Sequence, residues 1–263
     1  MIQNLKAFWA EFIKYKDLLK LLVVKNVKLK YRRSFLGYVW SILNPLLIMV
    51  VMTIVFSTMF SRNIANFPVY LFCGQLLFNF MNSSTHQAIF SITSSGAMLK
   101  KAYVPKYNFT LARIPSALVD LIFSVGALIL VIIATRARVT WYALLFPWVL
   151  FQLYVFTVGL GLFLAQANVF FRDIQYIYNA VTTAWMYLTP VVYPLSTLTE
   201  GWMRTALMCN PVTIPMEMMR YAVLGQGTIH WGVYGLSWLV TIAVAVFGIM
   251  IFNKVERTFM DTV

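Results

Sequence analysis

Charge is what this sequence has least of. Asp, Glu, Lys and Arg make up 11% of its 263 residues, against about 25% in an ordinary soluble domain. That is too little to coat a water-facing surface, and hydrophobic residues account for 61% of the chain. Cysteine is nearly absent. Cys73 and Cys209 fall in different segments, which excludes a disulfide framework and a Cys-based metal site and leaves two small apolar fillers. His86 and His230 are far apart and lack acidic neighbours. No G-x-x-x-x-G-K-[ST], H-E-x-x-H, C-x-x-C or G-x-S-x-G occurs, so the chain has no phosphate loop with which to hydrolyse ATP. An enzyme acting on lipid-linked sugars is the weaker class, because such chemistry calls for clustered carboxylates, often with a metal. Between positions 194 and 230 the acids are only Glu200 and Glu217. The first 30 residues carry Glu11 and Asp17 among lysines, without a small-residue cleavage site, which is not the pattern of a secretory signal.

What is present is a series of charge-poor windows about 20 residues long, the length that crosses a hydrocarbon core. Six spans are expected, near 38–60, 68–92, 113–134, 142–166, 176–193 and 231–253. The stretch 194–230 is apolar in part but interrupted by Pro194, Gly201, Pro211, Pro215, Gly225 and Gly227. Two short half-helices that enter the membrane and return fit it, since irregular backbone at depth needs a covering of protein or water. The expected fold is therefore all-α and polytopic, with residues 1–37 as a cytoplasmic interface segment and 38–263 as the transmembrane domain. Of the 21 Lys and Arg residues, only Arg62, Arg136, Arg138, Arg204 and Arg220 lie outside when the N-terminus is placed in the cytoplasm, as the positive-inside rule prefers. Both termini are then cytoplasmic. An odd span count would put Lys254 and Arg257 outside at little cost. The net charge of +13 sits mostly before the first span, so it points to anionic lipid rather than nucleic acid. Leu18 to Leu29 mixes lysines with apolar residues and is expected to lie as a helix in the interface plane.

Polar side chains inside the spans carry the most information, because each is costly there. At about 100° per residue, Gln75, Asn79, Asn82, Ser83 and His86 share one face of span two. In span five, Gln175, Tyr176, Asn179, Thr182, Thr183, Met186, Pro190 and Tyr193 gather within about 60°. Arg113, Ser116, Asp120 and Ser124 form a smaller row in span three. Two readings stand side by side. The rows are hydrogen-bonding glue between helices, or they line a hydrated path for a neutral, hydroxyl-rich substrate. Asp120, the acid well inside a span, is read as a structural residue held by hydrogen bonds. Most tryptophans near span ends form interfacial belts. Trp40, Tyr176, Trp185, Tyr187 and Tyr193 are the candidates for stacking against sugar rings.

Four stretches then carry a resemblance: "KLKYRRSFLGYVWSILNPLL" at 28–47, "ANVFFRDI" at 167–174, "LTPVVYP" at 188–194 and "NPVTIPMEMMR" at 210–220. In this order they resemble the permease subunit of ABC exporters for cell-surface polysaccharides, the group that includes O-antigen and wall teichoic acid exporters. The resemblance implies a homodimer in a bacterial cytoplasmic (inner) membrane, and short gate helices in 194–230. It implies a lipid-linked glycan as cargo, and two cytoplasmic ATPase subunits that supply ATP and Mg chemistry this chain lacks. No cofactor or metal is expected in the chain itself. A drug or lipid exporter of the same fold is the near alternative. Contact with the ATPase is expected at Lys100, Lys101, Pro105 and Lys106, with Arg172 and Asp173 as a second point. Lys30, Arg32 and Arg33 are expected to pin an elbow at headgroup level, with Gly37 giving the bend room. Trp40 then starts span one, and Pro45 disfavours helix at Asn44 and kinks the span. Together they are expected to form a lateral gate for the lipid-linked cargo.

Overall fold

The computed structural model describes residues 14–31, 37–60, 64, 66–99, 104–195, 201–227 and 231–255. Among them the secondary structure is helical, with no strand. Helix α1 (Lys16–Tyr31) places Leu18, Leu19, Leu22 and Val23 against Phe109 and Ala112, while Lys20, Lys25, Lys28 and Lys30 stay exposed. One apolar stripe and one basic face are what an interfacial helix needs.

Six longer helices follow. They are α2 (Val39–Phe60), α3 (Phe67–Ile89), α4 (Tyr107–Thr135), α5 (Phe146–Phe170), α6 (Ile174–Tyr187) and, last in the chain, α9 (Trp231–Val255). Between α6 and α9 lie two short helices, α7 (Trp202–Met208) and α8 (Thr213–Leu224). Helix α3 forms the core. Val69, Leu71, Phe72, Cys73, Leu77 and Met81 on it are almost fully buried, packed by α2, α4, α5 and α8. The outer helices reverse the usual order, with apolar residues outside. Leu47, Val51 and Ile54 of α2 and Leu236, Leu239 and Phe247 of α9 are exposed, as suits a lipid-facing wall.

Val39–Ser57, Tyr107–Thr135, Trp141–Phe170 and Trp231–Lys254 are long and apolar enough to cross a membrane. Helices α3 and α6 occupy the places expected for spans two and five. Helix α3 is diluted by its amides and hydroxyls. Helix α6, with 14 residues, is about 21 Å long, short of a hydrocarbon core of about 30 Å. Three expected boundaries are corrected. The third span begins at Tyr107 rather than 113, because Tyr107, Asn108, Phe109, Thr110 and Ala112 are buried and the helix continues through them. The fourth runs on to Phe170 rather than 166, while a 3-10 turn at Trp141–Leu145 leads into its helix and meets the expected start. The fifth stops at Tyr187 rather than 193, where Pro190 and Pro194 bar continuation.

Helices α5 and α9 meet at glycine. A Cβ on Gly248 would overlap the carbonyl of Gly159, and one on Gly159 would overlap the backbone at Ala245. Close approach through small residues is how helices pack where no hydrophobic effect drives them together. The same seam is bonded by Gln152, whose Nε2 donates to Ser237 Oγ at 2.8 Å.

Candidate functional site: a polar cleft and a buried arginine

A cleft of about 570 Å³ opens between α2, α3 and α4. Helical spacing of three and four residues builds each wall. Helix α2 contributes Trp40, Ser41 and Asn44, helix α3 contributes Asn79, Asn82 and Ser83, and α4 contributes Asp120 and Ser124. Pro45, Ile48, Leu76, Phe80 and Leu121 supply apolar surface between them. Lys30, at the end of α1, reaches in and donates to Asp120 Oδ2 at 2.6 Å. Asp120 is thus held by an ion pair from 90 residues away, not only by local hydrogen bonds. The lysine is 51% exposed and the aspartate 20%, so the pair is a positional tie between α1 and α4 more than a source of stability. Trp40 is 45% exposed. Asn82 Oδ1 is buried and accepts no hydrogen bond. Gly37 has φ 43°, a left-handed turn that favours glycine, at the expected elbow. Arg32 and Arg33 of that elbow lie outside the described residues.

The expected rows divide. Asn79, Asn82, Lys30 and Trp40 come together in the cleft. Gln75 does not line it and is buried at 5% exposure. The His86 ring packs against Tyr178 at 5.1 Å, tilted by 58°, and lies 3.5 Å from Thr182 Oγ1. Tyr178 in turn donates to Thr85 Oγ1 at 2.8 Å. The lower half of the α3 row is therefore a joint between α3 and α6. On α6, Tyr176, Asn179, Thr183 and Tyr187 face outward, with Gln175 half-buried beside them. Thr183 Oγ1 spends its proton on the Asn179 carbonyl at 2.8 Å. This open face is not part of the cleft.

A second constellation was not legible in the sequence. Arg220, counted above as an outside charge, is completely buried. Its Nη1 donates to Glu217 Oε1 at 2.7 Å and its Nη2 to the Val191 carbonyl at 2.7 Å. Its Nε lies 3.4 Å from the Tyr70 carbonyl, and the guanidinium stacks on the Tyr70 ring at 3.6 Å. Gly74 keeps the space open, since a Cβ there would come within 2.9 Å of Nη2. One side chain so ties α8 to α3 and to the turn after α6. Trp185 and Asn210 add to this. Trp185 Nε1 donates to Asn210 Oδ1 at 2.9 Å, and Asn210 Nδ2 donates to Thr189 Oγ1 at 2.9 Å. Tyr193 OH donates to the Tyr187 carbonyl at 3.1 Å. The "TPVVYP" and "NPVTIPMEMMR" stretches are thus stitched into one body. The sequence signal that would have found the arginine is Glu217, placed one helical turn before it.

Of the expected ATPase contacts, Lys100 and Lys101 lie outside the described residues. Pro105 and Lys106 lead directly into α4. Arg172 and Asp173 are exposed in the tight turn between α5 and α6, with Asp173 at the α6 N-cap. Among the described residues, no three His, Cys, Asp or Glu side chains gather as a metal site would need.

Long apolar helices around a buried α3, with a polar cleft opening at their side, define a multi-pass helical membrane protein. Residues 17–224 match the family described as ABC-2 type transporter, and the chain belongs to that family. It is 34% identical over 203 residues to the O-antigen export system permease protein RfbA of Myxococcus xanthus, covering 77% of this chain and 78% of that one. It is 24% identical over 249 residues to a protein of the same name from Klebsiella pneumoniae, covering 93% and 94%. To the polysialic acid transport protein KpsM of Escherichia coli it is 22% identical over 250 residues, covering 92% and 94%.

Proposed function

We propose that this chain is the channel-forming permease subunit of an ATP-driven exporter that moves a lipid-linked, O-antigen-like polysaccharide across a bacterial cytoplasmic membrane. The observation that carries this reading is family membership over residues 17–224, joined to relatives named for O-antigen export and polysialic acid transport that align along most of their length. The O-antigen relatives are the more similar of the two kinds, at 34% and 24% against 22%.

The remaining parts extend that proposal. The chain has no phosphate loop, and the resemblance to polysaccharide exporters implies that ATP is hydrolysed, with Mg, by a separate cytoplasmic subunit present twice in the assembly. Lys100, Lys101, Pro105 and Lys106, with the Arg172–Asp173 turn, meet that subunit. Helices α2 to α6 and α9 make six spans with both termini in the cytoplasm. Helices α7 and α8 dip in from the far side and return as a gate. The outward face of α6 carries Gln175, Tyr176, Asn179, Thr183 and Tyr187, which are poorly suited to lipid. A second copy of the chain covers this face, and the glycan passes between the two copies along it. Gln75 and His86 act as packing residues beside that path rather than as contacts to the glycan. Trp185 and Tyr193 hold the gate.

Removing the gene from its host tests the reading. The polymer should accumulate in the cytoplasm, still lipid-linked, while the cell surface is bare. Disappearance of the polymer from both places would instead indicate an enzyme of its synthesis.

A further inference from the structure

We propose that the cleft between α2, α3 and α4 is itself a binding site for neutral glycosyl units, located within one protomer and distinct from the path between two copies. The inference rests on the polysaccharide reading above and names a site that reading does not need. Its volume of about 570 Å³ falls in the range of small-molecule sites, about 300–1,000 Å³. Three classes of occupant compete for it. A phosphate headgroup requires uncompensated positive charge. Among the described residues, the charged ones lining the cleft are Lys30 and Asp120, and these are paired at 2.6 Å. An acyl chain requires an apolar lining. Here it would cover the amides of Asn44, Asn79 and Asn82 without giving them hydrogen bonds, at a cost for each. A neutral sugar satisfies both conditions.

The geometry fits a sugar in detail. Asn44 and Asn79 are exposed and offer amide donors and acceptors. Asn82 Oδ1 is buried without a partner, and an unsatisfied buried acceptor is an unusual thing to leave in a folded chain. Turning the Asn82 amide towards the cleft, which the residue lines, would let a sugar hydroxyl supply what Oδ1 lacks. Trp40, with 45% of its surface free, presents an indole at the edge of the same cleft for the C–H face of a ring. Ser124 also lines the cleft, but its hydroxyl donates to the Asp120 carbonyl at 3.0 Å, so it is a bystander and a site for a reporter.

The test places a cysteine at that bystander. Ser124→Cys is made in a Cys209→Ser chain, Cys73 being buried, and expressed with its partner subunits in the native host. The rate of alkylation by N-ethylmaleimide is measured with polymer synthesis switched on and switched off. The expected result is several-fold slower labelling when polymer is made, with the difference abolished by Asn79→Leu plus Asn82→Leu. Equal, fast labelling in both conditions would overturn the proposal. So would equal, slow labelling, which would mark a resident lipid. If export still depends on the chain while labelling ignores polymer, only the cleft site falls. If export does not depend on the chain, the polysaccharide reading falls with it.

Discussion

Replacing Arg220 by Met removes the cation and keeps a flexible, unbranched side chain against the same surroundings. Three groups then lose their partner: the Glu217 carboxylate, the Val191 carbonyl and the Tyr70 carbonyl. Removing one member of a buried ion pair costs about 3–5 kcal/mol, and each abandoned buried acceptor adds about 1–3 kcal/mol. Glu217 is 30% exposed and regains some water, which places the expected loss near the lower end of the sum, about 5 kcal/mol. The loss is directional. It detaches α8 from α3 and from the turn after α6, so the α7–α8 hairpin should loosen before the α5–α9 seam does. Thermal unfolding of the chain in nanodiscs, with proteolysis mapping the first cut, reads both effects. Arg220→Met with Glu217→Gln should recover part of the loss, because no bare carboxylate remains. Arg220→Lys should recover little, since an ammonium does not reproduce the fork that reaches Glu217 and Val191 together. Unfolding of Arg220→Met within about 1 kcal/mol of the parent, or a first cut elsewhere, would refute the latch.

Other outcomes follow from the same structure. Gly248→Ala should sharply lower the yield of folded chain in a fluorescence-detected size-exclusion assay, since its Cβ collides with backbone at Gly159, whereas Gly232→Ala and Gly235→Ala meet nothing within 4 Å and should be neutral. Tyr178→Phe removes the bond to Thr85 and should cost about 1 kcal/mol in thermal unfolding without changing export. Lys30→Asp should reduce polymer export at constant protein level, and adding Asp120→Lys should restore it if the tie between α1 and α4 is what matters. Asn179→Leu should lower export while leaving the chain folded; loss of assembly instead would make the α6 face purely structural.

Much of this architecture is written locally. Charge-poor windows located the helices to within a few residues at most ends, because lipid solvation depends on composition over about 20 residues. The amphipathic α1 was legible for the same reason, and so was the break at 194–230, through its prolines and glycines. Boundaries slipped where tertiary burial overrode local polarity, as at Tyr107 to Ala112, or where proline stopped a run that still looked apolar, as after Tyr187. The α3 row was visible as a periodic pattern, but its division was not. Asn79 and Asn82 face the cleft while His86 faces α6, and which neighbour covers which turn is a property of packing. The burial of Arg220 was not visible because a charge near the end of a loop and a charge buried between helices look alike in one dimension. The tie from Lys30 to Asp120 bridges 90 positions and leaves no local signature.

The most direct test of the central claim is translocation by purified components. This chain, joined with its ATPase subunit and reconstituted in liposomes, would be offered lipid-linked glycan on the face that binds ATP. The account predicts ATP-dependent arrival of glycan in the lumen, where an added glycosidase cannot reach it, and no arrival when this chain is left out. Glycan that stays fully accessible to the enzyme despite ATP turnover would contradict it.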